Sequence, residues 1–469
     1  MTGKPPRRTV TKNAQQREPR GKQASTARNR SGGPRPVTPK SKRTTETEIS
    51  GIRPQRGTQH ARVASGSKVR ELYPRRAKKR LRDKEPWKTL FFAVRSAPIQ
   101  QKRRRADRYI FGVTVLLVLY GLAMIYAASS FRLSDPLGGV KKQAMYAGLG
   151  IILMVILPLF DYHSLLSLAW CLSYIAGIVL IGATMVVGRT VNGSARWIQV
   201  GGISIQPSEL MKTALILFFS VYLVKEYRRL AEHPWKVFWV MALWGGIPAF
   251  LVARQNLSTG ILIASLVFII TFLGVKDNRV HFLLMALGGL AFWFVLNNYK
   301  HLSFLKAYQI ARIDKWLNPP AVVQGDPGQV MKGIYALSEG GLRGTGIGRG
   351  YIKRNLAEAS NDIILAVVGE ELGLIGICIL LVFYLSLLFC IIQTAVKAPD
   401  RYGALLCGGV AIHIFLHTAM NIAVVTGAMP NTGVTLPFVS SGGTSLLCFM
   451  AEIGLVLSVS RSVRPESSP

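Results

Sequence analysis

Carboxylates are scarce in long apolar sequence, and in this chain of 469 residues a few of them stand where chemistry is possible. In the stretch NLAEASNDIILAVVGEELGLIG, Asp362 opens an apolar run and Glu370 and Glu371 follow two helical turns later. At about 1.5 Å rise per residue, Asp362 and Glu370 lie roughly 12 Å apart along a helix, too far to work as an acid and base on one bond. Asp362 alone is placed at a water boundary, where a carboxylate can take a proton from a hydroxyl. It can equally be an N-cap, because NDIIL also reads as a helix start. The deeper glutamates are expected to pair with Arg or Lys of neighbouring helices.

A second constellation lies in VNGSARWIQVGGISIQPSELMK, which puts Arg196 and Trp197 just outside an apolar run and Glu209 and Lys212 at its start. A spacing of three places Glu209 and Lys212 on one helix face. Charges inside a membrane helix cost several kcal/mol unless paired or wet, so an inward-facing ion pair is expected, serving packing, chemistry or both. The loop EGGLRGTGIGRG looks like a dinucleotide fingerprint but follows no strand and opens no βαβ unit. It can still offer backbone N–H groups with Arg343, Arg349, Lys353 and Arg354 to phosphate oxygens. In NTGVTLPFVSSGGTSLL, the run Ser440, Ser441, Gly442, Gly443, Thr444 and Ser445 opens the last apolar segment. A helix start of this kind favours anions, and small residues there also permit close helix packing. His413 and His417 share a helix face but have no third ligand at metal spacing, so no metal site is expected.

The elements that must position these groups are membrane helices. The chain is 49% apolar, with uncharged runs long enough to cross a bilayer of about 30 Å. Ten spans are predicted at 109–129, 142–160, 164–187, 208–224, 236–253, 257–274, 280–297, 362–394, 402–427 and 437–460. This is an all-α polytopic membrane domain over 109–460. QKRRRADR, KEYRR, KDNR, KAPDR and RSVR all fall on one side if each span crosses once, which puts both termini in the cytoplasm. Two longer loops then lie outside, 188–207 and the basic loop 298–361, whose charge suits an anionic substrate.

Charge is uneven along the chain. Residues 1–108 carry 32 Lys/Arg against 7 Asp/Glu. Residues 1–82 have almost no large apolar side chain, so ordering them would cost entropy that no burial offsets, and a disordered cytoplasmic tail is expected. Without aromatics to stack on bases it does not point to nucleic acid, whereas anionic lipid headgroups would attract it. Within the juxtamembrane segment 83–108, Trp87 to Val94 form an apolar patch suited to an interfacial helix. Residues 461–469 form a short cytoplasmic tail. No cleavable signal peptide is visible, so the first span is expected to act as an uncleaved anchor. The five cysteines lie in apolar runs without metal or disulfide spacing and read as small core residues.

Four stretches in this order resemble the FtsW/RodA/SpoVE family of bacterial shape, elongation, division and sporulation proteins: NGSARW with QPSELMK, ARIDKWLNPPAVVQGDPGQVMKGIYALSEGGLRGTGIG, SNDIILAVVGEELGLIG, and NIAVVTGAMPNTGVTLPFVSSGGTSLL. The resemblance spans roughly 105–462, and the last two spans look most like the division branch. It implies a ten-helix plasma-membrane enzyme that joins lipid II, the undecaprenyl-diphosphate-linked disaccharide, into glycan strands. It also implies a class B penicillin-binding protein as crosslinking partner, alongside other divisome or elongasome membrane proteins. The family's catalytic aspartate falls on Asp362 and its sensitive Glu/Lys pair on Glu209 and Lys212. Two departures stand out. A Pro-Asp-Leu-Gly-Thr run of many members is Gln255, Asn256, Leu257, Ser258 and Thr259 here, and an aromatic of the final Ser-Tyr-Gly-Gly run is Ser441.

The chemistry implied is an inverting displacement in which Asp362 activates a sugar hydroxyl and cations stabilise the leaving diphosphate. Arg196, Lys212, Arg254, Arg343 and Lys353 are the candidates, with Glu209, Ser440, Ser441, Gly442 and Gly443 nearby and Trp197, Glu370 and Glu371 in support. No cofactor is implied, and although a divalent cation would suit a diphosphate, no cluster of residues indicates one. Two other function classes fit parts of the pattern: a lipid II flippase, which needs a polar path across the whole bilayer, and a non-catalytic divisome scaffold, which leaves Asp362 unexplained.

Overall fold

The structure, a computed structural model, describes residues 107–463 apart from 132–134, 136, 192–193, 201–202, 303–306, 319–327 and 357–358. The basic tail 1–82, the interfacial patch around Trp87 and the end of the C-terminal tail lie outside the described residues.

Besides a six-residue helix at Tyr227–Glu232 and short 3-10 turns, twelve longer helices and three short strands make up most of the described part. They are α1 Arg108–Ser129, α2 Gly138–Ile156, α3 Tyr162–Val187, β1 Arg189–Val191, β2 Ser194–Val200, β3 Ile203–Ile205, α4 Pro207–Lys225, α5 Lys236–Ala253, α6 Leu257–Gly274, α7 Arg279–Asn298, α8 Ala307–Leu317, α9 Gly328–Gly340, α10 Ile364–Val396, α11 Arg401–Val425 and α12 Gly443–Ser462. Ten of them, all but α8 and α9, are long and apolar enough to cross a membrane. Side-chain caps set several starts: Asp107 accepts from Tyr109 N at 2.8 Å, Asp400 from Gly403 N at 2.9 Å, and Asn256 from Thr259 N at 3.4 Å.

Four findings go beyond the helical pattern. The loop after α3 folds into an antiparallel meander β1-β2-β3, with Arg189 opposite Trp197 and Ile198 opposite Ile205. The β-branched residues of this stretch suit a pleated surface. In α5, a π-helical turn at Met241–Gly246 precedes Pro248, whose missing N–H disturbs the regular ladder. The last span starts at Gly443 instead of 437, because PFVSSGG forms a tight loop. Finally, α10 is kinked at Gly373, where φ is +67°. The amides of Leu374 and Ile375 turn to the carbonyls of Gly341 and Leu342, at 2.9 and 3.2 Å. A straight helix of 33 residues would run about 50 Å, well beyond the apolar thickness, and the kink divides it.

The centre of the bundle is α12, α4 and α11, with 78%, 72% and 56% of their apolar stretches buried. By contrast only 11% of α7 is buried, so it lies at the edge. Of the polar residues considered above, Glu209, Lys212, Asp362, Ser440 and Thr444 come together where the central three meet the loops 188–206, 299–363 and 426–442, here called the loop end.

Candidate functional site

Asp362 sits in the turn before α10, and 8% of its surface is exposed. The N-cap of α10 is Ile363, with no side-chain cap, so Asp362 does not serve the capping role open to it in the sequence. What holds it is a clasp of backbone contacts. Asn421 of α11 donates to the Asp362 carbonyl at 2.7 Å and to the Val434 carbonyl at 2.9 Å. Ser440 Oγ donates to the Asn361 carbonyl at 2.6 Å and accepts from Leu436 N at 2.8 Å, while Ser441 N donates to Ser360 O at 2.8 Å. Gln143 of α2 closes the other side, donating to Ser440 O at 3.1 Å and accepting from Gly442 N at 3.2 Å. Gly433, at φ +71°, faces the carboxylate, and a Cβ added there would lie 3.8 Å from Asp362 Oδ2.

This clasp overrides an unfavourable backbone. The buried Phe438 adopts φ +64°, a conformation that costs on the order of 1–3 kcal/mol and persists only where its surroundings over-determine it. Bonds from Ser440 and Gln143, and from Tyr384 OH to Pro437 O, do so here. Gly443 packs against the Tyr146 ring with no room for a Cβ. The serine and glycine run thus shapes the loop and seats α12, which is the packing role open to it in the sequence.

Below the clasp, Glu209 and Lys212 of α4 form the expected pair at 2.7 Å, with side chains 6% and 1% exposed. The pair has a third member. Lys212 Nζ lies 2.6 Å from His417 Nε2, and His417 Nδ1 lies 3.0 Å from the Thr435 carbonyl. A carbonyl only accepts, so Nδ1 carries the proton and Nε2 accepts from the ammonium. Beyond it, Glu452 of α12 accepts from Thr213 Oγ1 at 2.7 Å and meets His413 Nδ1 at 3.0 Å. The histidine rings stand nearly perpendicular, 4.8 Å apart. Thr444 Oγ1, donating to Ser204 O at 2.9 Å, ties the start of α12 to β3.

An unequal response follows from this geometry. Glu209 Oε2 has no hydrogen-bond partner, whereas Lys212 serves two groups. Lys212→Met should therefore destabilise the detergent-solubilised protein more than Glu209→Gln. The expected gap is about 1–3 kcal/mol, read from thermal melts, because the methionine strands a buried carboxylate and a buried imidazole. Exchanging the two residues should leave the protein destabilised, since it sets a carboxylate against the accepting Nε2. A simple two-member pair would tolerate the exchange.

Glu370, Glu371 and Lys353 are all fully buried and form a separate cluster. Glu370 accepts from the amides of Ile352 and Lys353 at 2.6 and 2.9 Å. Glu371 pairs with Lys353 Nζ and accepts from Gly348 N. Lys353 Nζ also donates to Ala127 O at 2.8 Å and to Ser130 Oγ at 3.2 Å. The cation thus comes from the glycine-rich loop and not from a neighbouring helix. In this arrangement the Lys353 ammonium is committed to protein groups and closed off from solvent, whereas Arg343, Arg349 and Arg354 of the same loop are exposed. Gly344, at φ +78°, packs so closely on the Glu371 carbonyl that no side chain fits, so its lack of a Cβ serves packing at the kink.

Arg196 and Trp197 lie on β2, both partly exposed. Arg196 Nε donates to Gln255 O at 3.3 Å and, with Thr184, Gln206, Ser208 and Asn256, lines a small recess beside the start of α4. Asn256 is the N-cap of α6, and Arg254, two residues before it, is exposed. Among the described residues, no three His, Cys, Asp or Glu side chains are arranged to hold a metal ion.

Sequence reasoning did not single out Asn421, Thr435, Gln143 or Glu452. The one available signal was periodicity: His413, His417 and Asn421 recur every four residues in an otherwise apolar span.

Comparison with known proteins gives this geometry a family. The profile of the cell cycle protein family FtsW/RodA/SpoVE matches residues 107–465. The stage V sporulation protein E of Bacillus subtilis strain 168 is 34% identical over 376 residues, covering 77% of this chain and 99% of that protein. A probable peptidoglycan glycosyltransferase FtsW of Geobacter sp. strain M18 is 32% identical, covering 76% and 97%. Among solved structures, a chain of a peptidoglycan synthase complex that coordinates polymerization and crosslinking superposes with TM-score 0.62 at 28% identity, covering 76% of this chain and 98% of that one. The rod shape determining protein RodA of Thermus thermophilus gives TM-score 0.56 at 25% identity, covering 77% and 98%. The chain therefore belongs to the cell cycle protein family FtsW/RodA/SpoVE.

Proposed function

We propose that this protein is a peptidoglycan glycosyltransferase of the plasma membrane that polymerises lipid II on its outer face, with Asp362 as general base. The supporting observation is the clasp: a carboxylate outside any capping role, fixed through its backbone where α11, α12 and the 426–442 loop meet. Asp362 takes the proton of the sugar 4-hydroxyl on one lipid-linked disaccharide as that oxygen attacks the anomeric carbon of the growing strand. The bond to the lipid diphosphate breaks and the diphosphate leaves with the electron pair. A single displacement inverts the anomeric centre. Charge on the leaving group needs cations already in place. Arg196, Arg254 and Arg343 have exposed surface for this, whereas Lys212 and Lys353 are 1% and 0% exposed in their ion pairs.

Basic short loops on the side opposite the loop end put both termini in the cytoplasm. The similar chain from a synthase complex supports a crosslinking transpeptidase of the class B penicillin-binding type as partner. Anionic headgroups bind the basic tail, residues 1–82.

Purified protein incubated with lipid II, alone and with its cognate penicillin-binding protein, should give a ladder of glycan strands on a gel. Translocation of lipid II in liposomes, with no polymer under either condition, would overturn the proposal in favour of a carrier.

A further inference from the structure

The buried face of α11 carries a polar stripe of which the chemistry described so far draws on one contact, that of Asn421 with the Asp362 carbonyl. His413, His417 and Asn421 occupy successive turns of one helix face and are 0%, 2% and 1% exposed. Polar groups in such a place cost free energy unless each finds a specific partner. Here the partners differ turn by turn. His413 meets Glu452 of α12, His417 joins Lys212 of α4 to the Thr435 carbonyl, and Asn421 joins the Asp362 carbonyl to the Val434 carbonyl. Adjacent carbonyls of one loop, 434 and 435, are thus held by adjacent turns of one helix.

We propose that Asn421 and His417 are positioning residues that hold the Asp362 backbone and the Lys212 ammonium in one register through the 434–435 loop. The proposal rests on the reading of Asp362 as general base. Asn421 has two amide hydrogens, and both are spent on carbonyls from different segments, so it fixes the spacing of the loop from the turn that carries Asp362. His417 repeats this one turn away, between the loop and Lys212. The pairing of His413 with Glu452 stops α11 from sliding or rotating against α12, which would shift both links together. A general base loses effectiveness steeply when displaced by about 1 Å, so the stripe acts on the rate of the chemical step and not on substrate affinity.

Asn421→Leu keeps the size of the side chain and removes both donors. With purified full-length protein and lipid II, it should lower kcat by at least about tenfold and change KM by less than about twofold. In the Asp362→Asn background the same substitution should cost nothing further, because a residue acting only through Asp362 has nothing left to position. A glutamine side chain places a donor nitrogen and an acceptor oxygen at a spacing close to that of the two ring nitrogens of His417. His417→Gln should therefore retain activity that His417→Leu loses, and this comparison carries the test if Asn421→Leu fails to fold. Equal losses from His417→Gln and His417→Leu, a rise in KM that accounts for the loss, or an Asn421→Leu penalty that persists without the Asp362 carboxylate would overturn the proposal.

A readout independent of activity separates this inference from the function beneath it. Backbone amide exchange over residues 433–440 should speed up in Asn421→Leu and in His417→Leu while exchange in α4 and α12 stays slow. Unchanged exchange there overturns the positioning role even in an active enzyme. If the wild-type protein makes no glycan but the loop loosens in the two variants as expected, only the assignment of Asp362 is refuted.

Discussion

Asp362→Asn should lower glycan polymerisation by at least about 10²-fold, the usual scale for removing a general base. Membrane insertion, and binding of the proposed lipid II substrate and penicillin-binding partner, should stay as in the wild type. Asparagine keeps the size of the side chain and one carbonyl oxygen but lacks a lone pair basic enough to take the proton. In a capping role it would serve as well as aspartate, and since the cap position of α10 belongs to Ile363, the substitution tests the chemistry cleanly. The Asn421, Ser440 and Ser441 contacts go to the backbone at 360–362 and survive the change. Near-normal polymer yield from Asp362→Asn, measured on a gel with purified protein, would refute the mechanism while leaving the fold untouched.

Lys353→Met should destabilise the protein by about 3–5 kcal/mol, the cost of breaking a buried ion pair from one side. The lysine is fully buried, and its ammonium meets Glu371, the Ala127 carbonyl and Ser130. Without it, Glu371 remains as an uncompensated carboxylate beside the kink at Gly373, and the glycine-rich loop loses its hold on the end of α1. Thermal melts in detergent should show the shift. Adding Glu371→Gln should recover part of the stability, because it removes the stranded charge. By contrast Arg343→Met, in the same loop but exposed, should leave the melt within about 0.5 kcal/mol of wild type. Were Lys353 a substrate ligand held open to solvent, Lys353→Met would lower lipid II affinity and leave the melt unchanged.

Much of this architecture is legible in the chain. The ten spans follow from apolar runs, and nine of them match the observed helices closely, because a helix is the local solution to burying backbone in lipid and needs no distant partner. The pairing of Glu209 with Lys212 is equally local, a matter of spacing on one helix. The resemblance carried by four motifs reached the family for a related reason: each motif is contiguous in the chain.

Partners distant in the chain were decided only by tertiary structure. Nothing in the sequence around Lys353 distinguishes it from Arg343 ten residues earlier, yet one is sealed against Glu371 and the other is exposed. The tenth span starts six residues later than expected because Phe438 takes a left-handed backbone held by contacts with residues far away in the chain, among them Ser440 with Asn361, Gln143 with Ser440 and Tyr384 with Pro437. His417 reads in the sequence only as one of two histidines on a helix face without a third ligand, and its partners come from α4 and the 426–442 loop on either side. Periodicity reports which face of a helix is buried, and length and hydropathy report that it crosses the membrane. The identity of what lies against that face depends on how the helices cross, and that is settled by the packing of the whole bundle.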